Sequence, residues 1–210
     1  MLRILEVCTA SSPAYALVFA RAQQLNQKLA GRVKIDLLCS DGDEVVRMRA
    51  EGMRVITTDL HRSLNPLRLL QSAWNLYRVL RQEKHDVIHL HFGVPSLVGR
   101  LLALFLRKPR WIYQSHGYSI ADNTSLPGKT LYLLLERLLK HTVDIALFQS
   151  QEDMQLARRY QLLQERQMVY LGNGIDTRRF CPPDAEIPAS PWQQTGKRPA
   201  YNHLWHGGAL

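Results

Sequence analysis

Along its first 171 positions the chain alternates short runs of β-branched and aliphatic residues with stretches of helical periodicity, seven times over. That alternation constrains the fold more than any other feature, because parallel strands need crossovers of helix length and antiparallel strands do not. The strand pattern falls on residues 3–8, 33–39, 54–57, 86–91, 110–114, 143–149 and 167–171. Between them, helical spacing covers 14–30, a segment ending at Glu51 before Gly52, 66–84, 95–106, 128–140 and 151–163. Pro66 suits a first helical turn, and Ser150 with Asp153 three residues on suits an N-terminal cap. In the long helix opened by Pro66, the apolar face to be packed reads Leu70, Ala73, Trp74, Tyr77 and Leu80. The pattern predicts an α/β fold: a doubly wound, Rossmann-like domain over residues 1–181, with a mostly parallel seven-stranded sheet covered on both faces. Residues 182–210 carry five prolines in 29 positions and neither period, so an extended or disordered tail is expected there.

The charge narrows the partners. Lys and Arg number 27 against 18 acidic residues, a net charge of +9. No nucleic-acid module and no interleaving of basic with exposed aromatic residues accompanies it, which argues against nucleic acid. The cations recur along helices instead: Arg68, Arg78, Arg81 and Lys84, then Arg107, Lys108 and Arg110, then Arg137 and Lys140. Solvated helix faces account for most of them, and an anionic membrane surface or a diphosphate substrate is the specific alternative. Apolar runs such as 101–106 and 131–135 are far shorter than the roughly 20 residues that cross a bilayer. The start, Met-Leu-Arg-Ile-Leu-Glu, has the texture of a strand and not of a signal peptide. Cys8, Cys39 and Cys181 are scattered and odd in number, as reduced thiols of a cytoplasmic protein are. Cytoplasmic localisation is expected, with peripheral association at the inner membrane face as its variant.

In a doubly wound sheet the working residues collect in loops at the carboxyl ends of strands. The first such loop, Thr9-Ala-Ser-Ser-Pro-Ala-Tyr15, lacks the Gly-x-Gly-x-x-Gly that lets a pyrophosphate approach the backbone. A dinucleotide oxidoreductase is therefore disfavoured, and no cofactor is expected. Ser11 and Ser12 either offer hydroxyls to a substrate or cap the following helix. In Ser40-Asp-Gly-Asp-Glu44 two carboxylates stand at a metal-chelating spacing, but turn chemistry at Asp41-Gly42 and a helix start at Asp43-Glu44 explain them better. His89 and His91 lie two apart and so share a sheet face. No Cys or carboxylate lies at a sequence spacing that would complete a zinc set, so no metal site is expected; one ring should be packed and His91 should face the cleft. His116 directly follows a strand and Gly117 lets the chain turn away, which would stand the imidazole at the carboxyl edge of the sheet. There it could serve a sugar hydroxyl or an anionic leaving group.

Three segments, His116-Gly-Tyr-Ser119, Val143-Asp-Ile-Ala-Leu-Phe-Gln-Ser-Gln-Glu-Asp153 and above all Asn173-Gly-Ile-Asp-Thr-Arg-Arg-Phe-Cys-Pro182, resemble the N-terminal, acceptor-side half of family-4 glycosyltransferases of the GT-B type. Asn173, Gly174, Ile175, Asp176, Phe180 and Pro182 match the closing motif of that half. The resemblance implies half of a GT-B fold and a retaining transfer from a nucleotide-sugar donor to a lipid-linked or polysaccharide acceptor. It assigns His116 to contact with the donor sugar or its phosphate, Gly117 to an open loop, and Asn173 and Gly174 to the hinge. The glycine pair of the family's first loop is replaced by Ser11 and Ser12. The resemblance also implies that the donor-binding domain is separate from this chain, which would be weakly active or inactive alone. A non-catalytic acceptor- or membrane-binding subunit is the competing expectation.

Overall fold

A computed structural model describes residues 1–172, apart from Leu64, Phe92 and 118–125. Asn173, Gly174 and the segment 182–210 thus lie outside the described residues. Seven strands appear in chain order: β1 (Leu2–Val7), β2 (Val33–Cys39), β3 (Val55–Thr57), β4 (Val87–His91), β5 (Arg110–Ser115), β6 (Ile145–Phe148) and β7 (Met168–Tyr170). They form one sheet in the order β3-β2-β1-β4-β5-β6-β7, every pair parallel. Chain order reverses direction at β1, so β1 and β4, 80 residues apart, lie side by side with Glu6 opposite His89.

The helices are α1 (Ser11–Pro13), continued by a π-helical stretch (Ala14–Phe19) into α2 (Ala20–Lys28), then α3 (Asp43–Ala50), α4 (Pro66–Glu83), α5 (Gly93–Ala103), α6 (Leu126–Leu138) and α7 (Gln151–Arg159). Asn65 caps α4 by accepting from the Leu67 amide, with Pro66 in the first turn. The Ser150 hydroxyl accepts from the Glu152 and Asp153 amides at the start of α7. Both caps follow the expected chemistry.

Two apolar clusters divide the faces. One joins Leu5, Val7, Ile88, Leu90, Tyr113, Ala146 and Phe148 to Leu76 of α4, Val98 of α5 and Ala157 of α7. The other joins Cys8, Ile35, Leu37 and Cys39 to Val18, Ala22, Val45 and Met48. The second cluster stops at β1. Beyond it, on the same face, the strands carry Glu6, His89, His91 and Gln114, and farther out Ile145 and Val169 are 39% and 44% exposed. Coverage of both faces, expected from the sequence, is therefore only partial among the described residues.

Helix α4 departs from the face assigned to it. Leu76 is buried, with Leu69, Ala73 and Leu80 packed beside it, but Leu70 and Trp74 are 69% and 60% exposed and align with exposed Leu67. At 100° per residue, 69-73-76-80 is one stripe and 67-70-74 is another, so an apolar helix with two stripes can pack only one. At the opposite edge of the sheet from the candidate site, buried Asp36 accepts from Arg54 Nη1 and bonds His85 Nε2, each at 2.9 Å, which ties β2, β3 and the start of β4 together.

Candidate functional site

The polar residues gather where the doubly wound order changes direction. Glu6 near the end of β1, His89 and His91 on β4 and Gln114 on β5 occupy one face, because in-register neighbours and residues two apart point the same way. His116 continues that alternation two residues past Gln114. Its ring is half-buried, and Gly117 after it takes φ +120° with open space where a Cβ would sit, so the glycine is required by backbone conformation and not by crowding. This agrees with an imidazole at the carboxyl edge of the sheet.

The groups form a hydrogen-bonded series. Glu6 Oε2 lies 2.5 Å from His91 Nε2 and 2.9 Å from His89 Nδ1. His91 Nδ1 lies 3.0 Å from His116 Nε2. From α2, Arg21 donates to Gln114 Oε1 at 2.8 Å and approaches Glu6 Oε2 at 3.4 Å. Burial opposes the Glu6 charge, but contacts with His89 and His91 outweigh it and hold the carboxyl well below its usual range. Burial, reinforced by the electrostatic influence of the neighbouring His89, pushes the His91 imidazole down to about 3. Burial and Arg21 push His116 down to about 4. At neutral pH the site therefore holds an ionised carboxylate and two uncharged rings in a row.

Several expectations change here. His91 does not face the cleft: it is fully buried, and it connects Glu6 to His116. Its two ring nitrogens are taken up by Glu6 on one side and His116 on the other. Ser11 is buried and donates to Glu44 Oε2 at 2.6 Å, while Ser12 is exposed, and Ala10 at the start of α1 receives no side-chain cap. The two serines thus neither cap the helix nor form a substrate-facing pair; Ser11 joins the loop after β1 to α3. A Cβ on Gly42 would come within 2.2 Å of Ser11 Oγ, so only glycine permits that approach. Asp43 and Glu44 open α3, as the structural reading of that motif requires.

The carboxylate missing from the sequence reading of a metal set is Glu6, delivered by strand pairing. Glu6, His89 and His91 offer three donor atoms within 4.8 Å of one another. Their separations of 2.5 and 2.9 Å are hydrogen-bond distances, however, and donors around a tetrahedral zinc at roughly 2.0–2.1 Å would stand about 3.3 Å apart. The cluster is a hydrogen-bonded one. Sequence reasoning also missed Arg21 and Gln114. The available signal was an acidic residue inside an otherwise apolar strand, which demands a buried partner.

A parallel doubly wound sheet with its polar cluster at the β1/β4 reversal defines a Rossmann-like α/β domain. The chain belongs to the glycosyl transferase 4-like domain family, whose match covers residues 18–174. Among curated proteins it is 22% identical over 149 residues to the UDP-Gal:alpha-D-GlcNAc-diphosphoundecaprenol alpha-1,3-galactosyltransferase of Escherichia coli, covering 70% of this chain and 38% of that one. Among solved structures, a glycosyltransferase from Rickettsia africae superposes with TM-score 0.65 at 17% identity, over 92% of this chain and 48% of that one. Anabaena HepE, solved with UDP and glucose, superposes with TM-score 0.59 at 14% identity, over 85% and 46%. The chain thus spans less than half the length of each of these relatives. Among the described residues, no helix is long and apolar enough to cross a membrane.

Proposed function

We propose that the chain is the acceptor-side half of a retaining glycosyltransferase that moves a sugar from a nucleotide-sugar donor to a lipid-linked or polysaccharide acceptor. The observation that carries this is the neutral His116 ring at the carboxyl edge of a family-4-like sheet, backed by the buried Glu6–His91 pair. His116 contacts the donor sugar or the acceptor hydroxyl, and Gly117 keeps that edge open. The groups that grip the nucleotide and stabilise the departing diphosphate lie in a separate domain, with Asn173 and Gly174 as the hinge, because such stabilisation draws donors from both walls of a cleft. Calorimetry separates the possibilities: a diphosphoundecaprenol-linked sugar should bind this chain and a UDP-sugar should not. Tight UDP-sugar binding by this chain alone would refute the division of labour.

A second observation favours cytoplasmic placement against an anionic membrane face. Leu67, Leu70 and Trp74 form an exposed apolar stripe on α4 beside Arg68, and Arg78 and Arg81 follow on the same helix. Such a helix lies in the headgroup plane with its cations near the phosphates, which would bring the site to a lipid-linked acceptor.

A further inference from the structure

The Glu6–His91–His116 series has a direction, and this direction determines what His116 can recognise. Ionised Glu6 can only accept, so the proton between it and His91 sits on His91 Nε2. A neutral His91 carries one proton, which leaves Nδ1 as a lone pair. The 3.0 Å contact from that lone pair to His116 Nε2 is a hydrogen bond only if His116 carries its proton on Nε2. The remaining nitrogen of His116, Nδ1, is then an acceptor. Gln149 also hydrogen-bonds this ring.

We infer that Glu6 and His91 are positioning residues that set the tautomer of His116, so that His116 Nδ1 accepts a hydrogen bond from a sugar hydroxyl and does not donate to a phosphate. This rests on the proposed transferase reading, and it names the ligand chemistry at that site: a hydroxyl. Arg21 contributes by holding Gln114 and Glu6 from α2, which keeps the carboxylate turned toward His91. A merely structural role for Glu6 would require only that the cavity be filled and its polar atoms paired, and glutamine would do that as well.

The test is the tautomer itself, read by long-range ¹H–¹⁵N correlation on the ¹⁵N-histidine-labelled chain at neutral pH. His116 and His91 should both show a pyrrole-type Nε2 and a pyridine-type Nδ1, with a through-hydrogen-bond N–N coupling between His91 Nδ1 and His116 Nε2. Glu6→Gln presents His91 with a donor as well as an acceptor, so the bias should disappear and His116 should shift toward a mixture of tautomers. Glu6→Asp retains the carboxylate and should keep the wild-type pattern. A pyrrole-type Nδ1 on wild-type His116, or no change in Glu6→Gln, overturns the inference. If Glu6→Gln does not fold, the wild-type coupling decides alone: its presence supports the series and its absence sinks it. Because none of these readouts involves transfer, a confirmed tautomer in a chain that binds no acceptor would refute the transferase proposal and leave the relay standing.

Discussion

Breaking the buried pair between α5 and α6 should be among the most damaging single changes available. Arg100 has a side chain only 1% exposed, and its Nη1 donates to Glu136 Oε2 at 2.7 Å while Nη2 reaches the Glu136 carbonyl at 3.2 Å. Its guanidinium carbon also sits 5.3 Å from the centre of the Tyr113 ring. Burial, with Glu136 adding to it, drives the Tyr113 and Tyr132 hydroxyls well above their usual range, so neither phenol can substitute as an anion. Glu136→Leu strands a cation in this environment, and removing one partner of a buried pair costs about 3–5 kcal/mol. At about 2–4 °C per kcal/mol for a chain of this size, Tm should fall by about 6–20 °C. Replacing both residues, Arg100→Met with Glu136→Leu, removes the stranded charge and should return stability to within about 1.5 kcal/mol of the parent. Urea unfolding followed by tryptophan fluorescence measures all four corners of the cycle, Trp111 being 3% exposed in the core. An unchanged m-value confirms that stability and not compactness has moved. If each single substitution costs under about 1 kcal/mol, or the double loses as much as the two singles summed, the pair is not coupled and this reasoning fails. The consequence is functional as well, since α6 follows the segment that leads out of His116 and Gly117.

Three further outcomes are expected. Stability should fall as pH drops from about 6.5: burial keeps folded His91 neutral down to about 3 while the unfolded ring protonates near 6.5, so the unfolded chain gains the proton first. Glu6 acts in the same direction lower down, its contribution being lost as pH falls through its depressed folded value; urea midpoints that are equal at pH 7 and pH 5 would contradict the His91 reasoning. Cys8 and Cys39 are buried, with burial raising both thiols, Cys39 to about 11, so a thiol reagent at pH 8 should modify them only after denaturation; rapid labelling of either in the native chain would show the core there to be open. Serine at Leu67, Leu70 and Trp74 together should weaken flotation with anionic vesicles at least tenfold without lowering Tm, because these side chains are 77%, 69% and 60% exposed; undiminished flotation would move the membrane contact elsewhere.

Much of this molecule can be read from local pattern. Strand and helix periods depend on neighbours a few residues away, and the element order, the Pro66 and Ser150 helix starts and the position of His116 at a strand end all emerge from them. The residue before a glycine with positive φ is likewise a local fact. What local pattern could not supply is which strand lies beside which. Residue parity placed His89 and His91 on one face but said nothing of what they would meet there. That was decided by the reversal of strand order at β1, which brings Glu6 across 83 residues of sequence to His89 and aligns His91 with Gln114. The same effect joins Asp36 to His85, and it leaves α4 with one apolar stripe too many. The physical reason is that periodicity is a short-range property of the backbone, whereas a buried charge takes its partner from whatever sheet adjacency the whole chain settles upon.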